Sequence, residues 1–296
     1  MEYGDKRERF MRTILTILIM VCTMCCLCSS PAHAKVDTSN MSANLKKDLK
    51  EGVLAIKRLP TKYKDALLAE AAGLLWMDNG KNPYKNDMGS DYIMGEAIPF
   101  VGVEKAAKFV GTDGKIYNFA ALAREKMDKT KIQKNWLMAK YYLYHVGKEA
   151  ILDSFESNIQ LMQEKYIIYW KKKMPVKFRD AFLAEAHGLF HVGKNEPGTT
   201  GTEGEDTIRG IKIKYMHAKP GAKYVSTDGK EYDFKAVSKE RYDHQPVVQA
   251  LWVNGKYFMH LIGKDKFMEA FKEEISMMRL LADEVMAGAG SAELPR

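Results

Sequence analysis

The sequence predicts an α+β fold written twice, with each copy placing about three helices on a small antiparallel β-sheet. Three observations carry that expectation. PTKYKDALLAEAAGLLW, Pro60 to Trp76, aligns with PVKFRDAFLAEAHGLFH, Pro175 to His191, with 10 identities in 17 positions. At the same offset of 115 residues GTDGKIYNF, Gly111 to Phe119, lies over STDGKEYDF, Ser226 to Phe234. One inserted residue later, Trp136 to Lys148 lies over Trp252 to Lys264. So much agreement in order, over a period longer than any solenoid unit, reads as duplication of a small domain.

The elements follow from the N-terminus. Lys6, Arg7, Arg9 and Arg12 precede a weakly polar to apolar run, Ile14 to Cys28, and Ala32-His33-Ala34 has the form of a cleavage site. This is the layout of a secretory signal peptide over residues 1–34, and Met11 would start a cleaner one. Its apolar core is shorter than the roughly 20 residues of a membrane span, and no later window is apolar enough for one. All four cysteines, Cys22, Cys25, Cys26 and Cys28, lie in this segment, so the mature chain lacks disulfides, thiolate ligands and cysteine nucleophiles. None of the four has the small-residue context of a lipid anchor. The remaining 262 residues carry 42 basic and 35 acidic side chains, spread along the chain. That balance reads as charge for solubility, with attraction to an anionic envelope component as the functional alternative. Export, to the periplasm or beyond the cell, argues for an envelope protein or a small ligand as partner and against nucleic acid.

Residues 35–154 form the first expected domain, 155–287 the second, and 288–296 a small, polar tail expected to be disordered. In each domain a first helix, Met41 to Arg58 or Phe155 to Lys173, stops before a proline. The second helix carries Ala66, Leu67, Ala71, Leu74 and Leu75 at helical spacing. Its central glycines, Gly73 and Gly188, suggest close approach of another backbone. The loops Met77 to Asp91 and Val192 to Asp206 read as flexible connections, and as the place where binding specificity would diverge. Ile211 to Met216 alternates as a strand, and Pro99, opposite Lys214 in the alignment, marks an edge. Asp113-Gly114 and Asp228-Gly229 are the pair favoured in hairpins whose two turn residues both need positive φ, with Tyr117 and Phe119, or Tyr232 and Phe234, covering one face of the sheet. A third helix follows, capped by Gly147 or Gly263. Lys264 to Ala287 reads as a final long helix, like the first helix of a third copy.

No histidine of one copy is matched by a histidine in the other, which argues against a His-dependent reaction performed by both. His187 and His191 replace Ala72 and Trp76, and an i, i+4 pair on a helix is a spacing used for zinc, with Asp180 two turns earlier. HGLFH lacks the glutamate of HExxH, however, and no third ligand is evident. Zinc or copper at His187 and His191 is therefore a minor reading beside ordinary surface or core histidines, and no cofactor is predicted. Glu70 and Glu185 interrupt apolar runs. Buried there, a carboxyl would have a raised pKa and serve as a general acid or base, or it would pair with a lysine or a tyrosine hydroxyl from the sheet. The catalytic candidates are Glu185, His187, Asp228 and Tyr232. The ligand-binding candidates are Trp136, Tyr141, Trp252 and Tyr257, which at helical spacing read more readily as core. No EF-hand loop or phosphate cradle is present. The reading that follows is an exported, non-catalytic binding or interaction protein of the cell envelope. Its rivals are an envelope hydrolase using a buried glutamate with a copy-specific histidine, and a metal-binding protein.

Overall fold

The computed structural model describes residues 38, 39, 41–193 and 196–288. The expected signal peptide, with the four cysteines, and all of the expected tail except Gly288 lie outside the described residues. The first half runs α1 (Ala43–Lys57), α2 (Thr61–Ala71), β1 (Tyr84–Ile93), β2 (Glu96–Val103), β3 (Lys108–Val110), β4 (Ile116–Asn118), α3 (Phe119–Glu125), α4 (Thr130–His145) and α5 (Lys148–Asp153). The second half runs α6 (Glu156–Lys173), α7 (Val176–His187), β5 (Thr199–Ile208), β6 (Ile211–Ala218), β7 (Lys223–Val225), β8 (Glu231–Asp233), α8 (Phe234–His244), α9 (Pro246–Ile262), α10 (Lys264–Glu269) and α11 (Lys272–Gly288). The fold is mixed helix and sheet, with the strands in four two-stranded antiparallel sheets. Registers correspond between halves: Asp91 faces Ile98 as Asp206 faces Ile213, and Phe109 faces Tyr117 as Tyr224 faces Tyr232.

Local chemistry explains most boundaries. The Ser42 hydroxyl accepts from the Leu45 N–H to start α1, and Asn118 and Asp233 do the same for α3 and α8. Pro60 and Pro175 end the helix before them and sit at the N-caps of α2 and α7. Gly147 and Gly263, both at φ 96°, stand between α4 and α5 and between α9 and α10.

Five sequence expectations are corrected. Gly73 and Gly188 lie at φ 73° and 66°, and they terminate α2 and α7 rather than admitting a neighbouring backbone at mid-helix. The two loops expected to be flexible hold most of β1 and of β5, the first strands of two long hairpins. Those hairpins turn at Met94-Gly95 and Arg209-Gly210, two-residue loops with both residues at positive φ; Met94 and Arg209, at 53° and 54°, are the only non-glycine residues of that kind among the described residues. At Asp113-Gly114 and Asp228-Gly229 only the glycine is left-handed. There the Gly114 N–H donates to the Gly111 carbonyl, and the Gly229 N–H to that of Ser226, so the turn is a wider one ending in a left-handed glycine. Phe119 and Phe234 open helices instead of lying in strands, and the expected last helix is two, α10 and α11.

Buried side chains from both halves form one continuous cluster. Its axis is α6. Tyr166 of α6 lies edge-on to Trp76, at a centroid distance of 5.9 Å, and stacks on Phe258 at 3.6 Å. Trp170, fully buried, donates its indole N–H to the Leu251 carbonyl at 2.8 Å. A Cβ at Gly255 would fall 2.7 Å from that indole nitrogen, so glycine there is what admits the ring.

Candidate functional site

The repeated TDGK hairpin is tied to a buried aspartate of the preceding helix. Asp180 on α7, with no exposed surface, accepts at Oδ2 from the Ser226 hydroxyl and from both the N–H and the hydroxyl of Thr227, at 2.6–2.7 Å. Its Oδ1 accepts from Arg179 Nε at 2.8 Å. Asp65 on α2 takes the same two bonds from Thr112, but Gly111 stands where Ser226 does and Asp65 Oδ1 makes no hydrogen bond. Burial raises the Asp65 pKa, against the pull of those bonds. Within each turn, Asp113 or Asp228 accepts from a backbone N–H two residues on and from the hydroxyl of Tyr117 or Tyr232, at 2.7 and 2.8 Å for the hydroxyls. Two of the catalytic candidates, Asp228 and Tyr232, are thus each other's partners, in an arrangement that both halves share.

His187 is the last residue of α7, and His191 lies beyond Gly188 in bridges to Pro197 and Lys223. The left-handed glycine between them removes the shared helical face on which the i, i+4 expectation rested. His191 Nε2 is 2.9 Å from Glu231 Oε2. His187 Nε2 is buried without a hydrogen bond, and its pKa is lowered by burial and by the charges of Lys264 and Arg279. Among the described residues no three His, Cys, Asp or Glu side chains converge as a metal-binding group, and no helix is long and apolar enough to cross a membrane.

The aromatic candidates fall mostly in the core. Trp136 packs on Phe119, Trp252 on Phe182, and Tyr257 donates its hydroxyl to the Gly73 carbonyl at 3.0 Å. Tyr141 is half-buried against Tyr142 and His145.

The two glutamates, with side chains 19% and 11% exposed, belong to a second shared arrangement. In the second half Lys256 of α9 places Nζ 2.9 Å from Glu185 and 2.6 Å from Asp206 of β5, under the Tyr215 ring. The Arg241 guanidinium carbon lies over the Trp252 ring, 3.6 Å from its centroid, and burial pushes its pKa down to about 10 against the attraction of Glu185 and Asp206. In the first half Lys140 of α4 faces Glu70 and Asp91 under Phe100, and Lys126 lies over Trp136. Burial raises the pKa of both glutamates, with the lysine opposing. The sequence offered a lysine or a tyrosine hydroxyl from the sheet as partner; the partners are lysines, from the third long helix of each half. Their signal was present in the aligned Lys140 and Lys256 of the repeated WLMAK and WVNGK segments.

The two clusters differ in closure. Lys140 stands 3.9 Å from Glu70 and 3.6 Å from Asp91, beyond hydrogen-bond distance, and its side chain is 19% exposed against 5% for Lys256. Over Lys140 and Glu70 lies a groove of about 440 Å³, walled by Phe100, Phe119, Ala123 and Arg124. It offers an apolar wall with a cation and a carboxyl at its base, the mixture that orients a small ligand. No protein-family model, curated protein or solved structure matches this chain.

Proposed function

We propose that the chain is an exported, non-catalytic binding protein of the cell envelope, built from two copies of one domain by internal duplication, and that its first copy takes a small amphiphilic ligand in the groove over Lys140. The observation that carries this reading is the spacing around Lys140. Its counterpart Lys256 is held by two carboxylates at hydrogen-bond distance, whereas Lys140 leaves donor capacity directed at a groove. The ligand class follows from the lining: an apolar body against Phe100 and Phe119, and an oxygen acceptor for Lys140. The commitment of Asp228 to Tyr232, and of Glu185 to Lys256, supports a binding role over hydrolysis.

Native mass spectrometry of the protein purified from the envelope of an expressing cell, with metal analysis on the same sample, tests the reading. A defined organic adduct is expected, lost in Lys140→Met and kept in Lys256→Met if that variant folds. An apo mass in every preparation, an adduct indifferent to Lys140→Met, or turnover of envelope polymers would overturn it.

A further inference from the structure

The groove over Lys140 has two polar levels. At its base Lys140 is shared between Glu70 and Asp91, and Lys126, buried and bonded to Gln133 at 2.8 Å, lies within electrostatic reach of the same two carboxyls. Two lysines and two carboxyls leave that level close to neutral. Lys105 and Arg124 also line the groove, and both are exposed. Neither forms an ion pair or a side-chain hydrogen bond among the described residues. Asp87, exposed and lying against Gly102 of the lining, is a further carboxyl, so this outer level sets two cations against one carboxyl. The rest of the wall is apolar, and Phe100 is fixed across Gly89, where a Cβ would collide with its ring.

The second half carries different residues at the same places. The offset of 115 puts His217, Pro220, Lys235 and Ser238 where the first half has Gly102, Lys105, Ala120 and Ala123. The matched ion pairs Lys62–Glu125 and Lys177–Glu240 show that the offset holds through this region. Small side chains thus open the wall in the first half, and bulkier ones stand in their places in the second. Of the two outer cations only Arg124 has a cationic counterpart, Lys239.

We infer that the ligand of this groove is an anionic amphiphile, held at the mouth by Arg124 and Lys105 through a carboxylate or phosphate, with a neutral oxygen reaching Lys140. The inference rests on the ligand reading of the Lys140 groove and adds the charge of the bound molecule and the direction in which it lies. An anion at the base would meet Glu70 and Asp91 beside Lys140. At the mouth it meets two unpaired cations, one of them a guanidinium able to donate to two oxygens at once. The apolar body then covers Phe100, Phe119 and Ala123, which burial favours. Both outer cations stay in water, so their pull on the anion is screened by salt.

The test is isothermal titration calorimetry of the purified protein, freed of any adduct, with ω-hydroxydecanoate, ω-hydroxydecyl phosphate and decanediol. At least one anion is expected to bind about tenfold or more tightly than the diol, and that advantage should shrink as salt rises. The stronger of the two anions tells a carboxylate ligand from a phosphate one. Arg124→Gln with Lys105→Gln should remove the advantage while leaving the affinity for the diol and the melting temperature unchanged, because both side chains are exposed and unpaired. Lys239→Gln, the matching change in the second half, should have no effect. Lys140→Met should weaken all three ligands. A diol bound as tightly as either anion, an anion advantage that survives the double substitution, or an equal loss in Lys239→Gln would overturn the inference; the ligand reading of the groove stands in those cases if Lys140→Met still weakens the diol. Heat from none of the three, or binding indifferent to Lys140→Met, would overturn both.

Discussion

The clusters around Lys140 and Lys256 contain the same four kinds of group, a glutamate from the second helix, an aspartate from the long hairpin, a lysine from the third long helix and an aromatic ring, yet only one is closed. About an ångström separates them: 3.9 and 3.6 Å in the first half against 2.9 and 2.6 Å in the second. At the shorter distances the lysine contacts both carboxyls directly, with a hydrogen bond to Asp206 and an ion pair to Glu185. At the longer ones it attracts them through space and keeps its donors for something else. The two clusters therefore share residue identity and differ in spacing, and the spacing is what the proposed binding role of Lys140 rests on.

The comparison breaks first at the lysines. Lys256→Met should cost about 3–4 kcal/mol, because it leaves Glu185 largely buried without its cation while Asp206 stays in contact with water, whereas Lys140→Met should cost about 1 kcal/mol or less. Urea unfolding of the two variants measures the difference, and equal losses would erase the distinction drawn between the halves. The aspartate anchors sharpen it next. Asp180→Ala strands more donors than Asp65→Ala, and the expected losses are about 3 and about 2 kcal/mol, read from the same unfolding curves. Arg209→Met, which gives the second hairpin tip the residue of the first, should cost about 1–2 kcal/mol through the Leu75 carbonyl and the Asn254 amide oxygen left without a donor. It should also raise hydrogen exchange in residues 74–80 while leaving the first hairpin unchanged. The smallest effect is a pH dependence. The His187 pKa is lowered by burial, so its contribution to stability is present above the ordinary value of 6.5 and is lost as pH falls below 6.5 towards the folded value. His187→Phe should flatten the melting temperature against pH in that window, and a slope left intact would move the titration elsewhere.

Much of this was legible in the sequence where local chemistry decides. The prolines at 60 and 175, the glycines at 147 and 263 and the helix cores all lie where pattern and punctuation put them. The two glutamates were visible as charges inside apolar runs. What failed to be legible depends on distant partners. Met94-Gly95 and Arg209-Gly210 lack the Asn or Asp that advertises a tight hairpin; at Arg209 the left-handed backbone coincides with a guanidinium gripping Leu75, 134 positions away, and Asn254, 45 away. The strands β1 and β5 are rich in Gly, Asp, Thr and Lys because each belongs to a ribbon with much solvent-facing surface, so their composition resembles that of loops. The histidine pair failed for a local reason that the sequence did contain: Gly188 ends the helix between them.

The place of α6 has a consequence for the order in which the chain becomes a solid object. Trp170 has no pocket until Leu251 and Gly255 exist, and Leu75 and Met77 keep open carbonyls until Arg209 and Asn254 arrive. A ribosome will thus have made most of the polypeptide before the interior can be sealed, and loops this long close late. A chain sealed across such separations is expected to fold more slowly than one closed by local contacts.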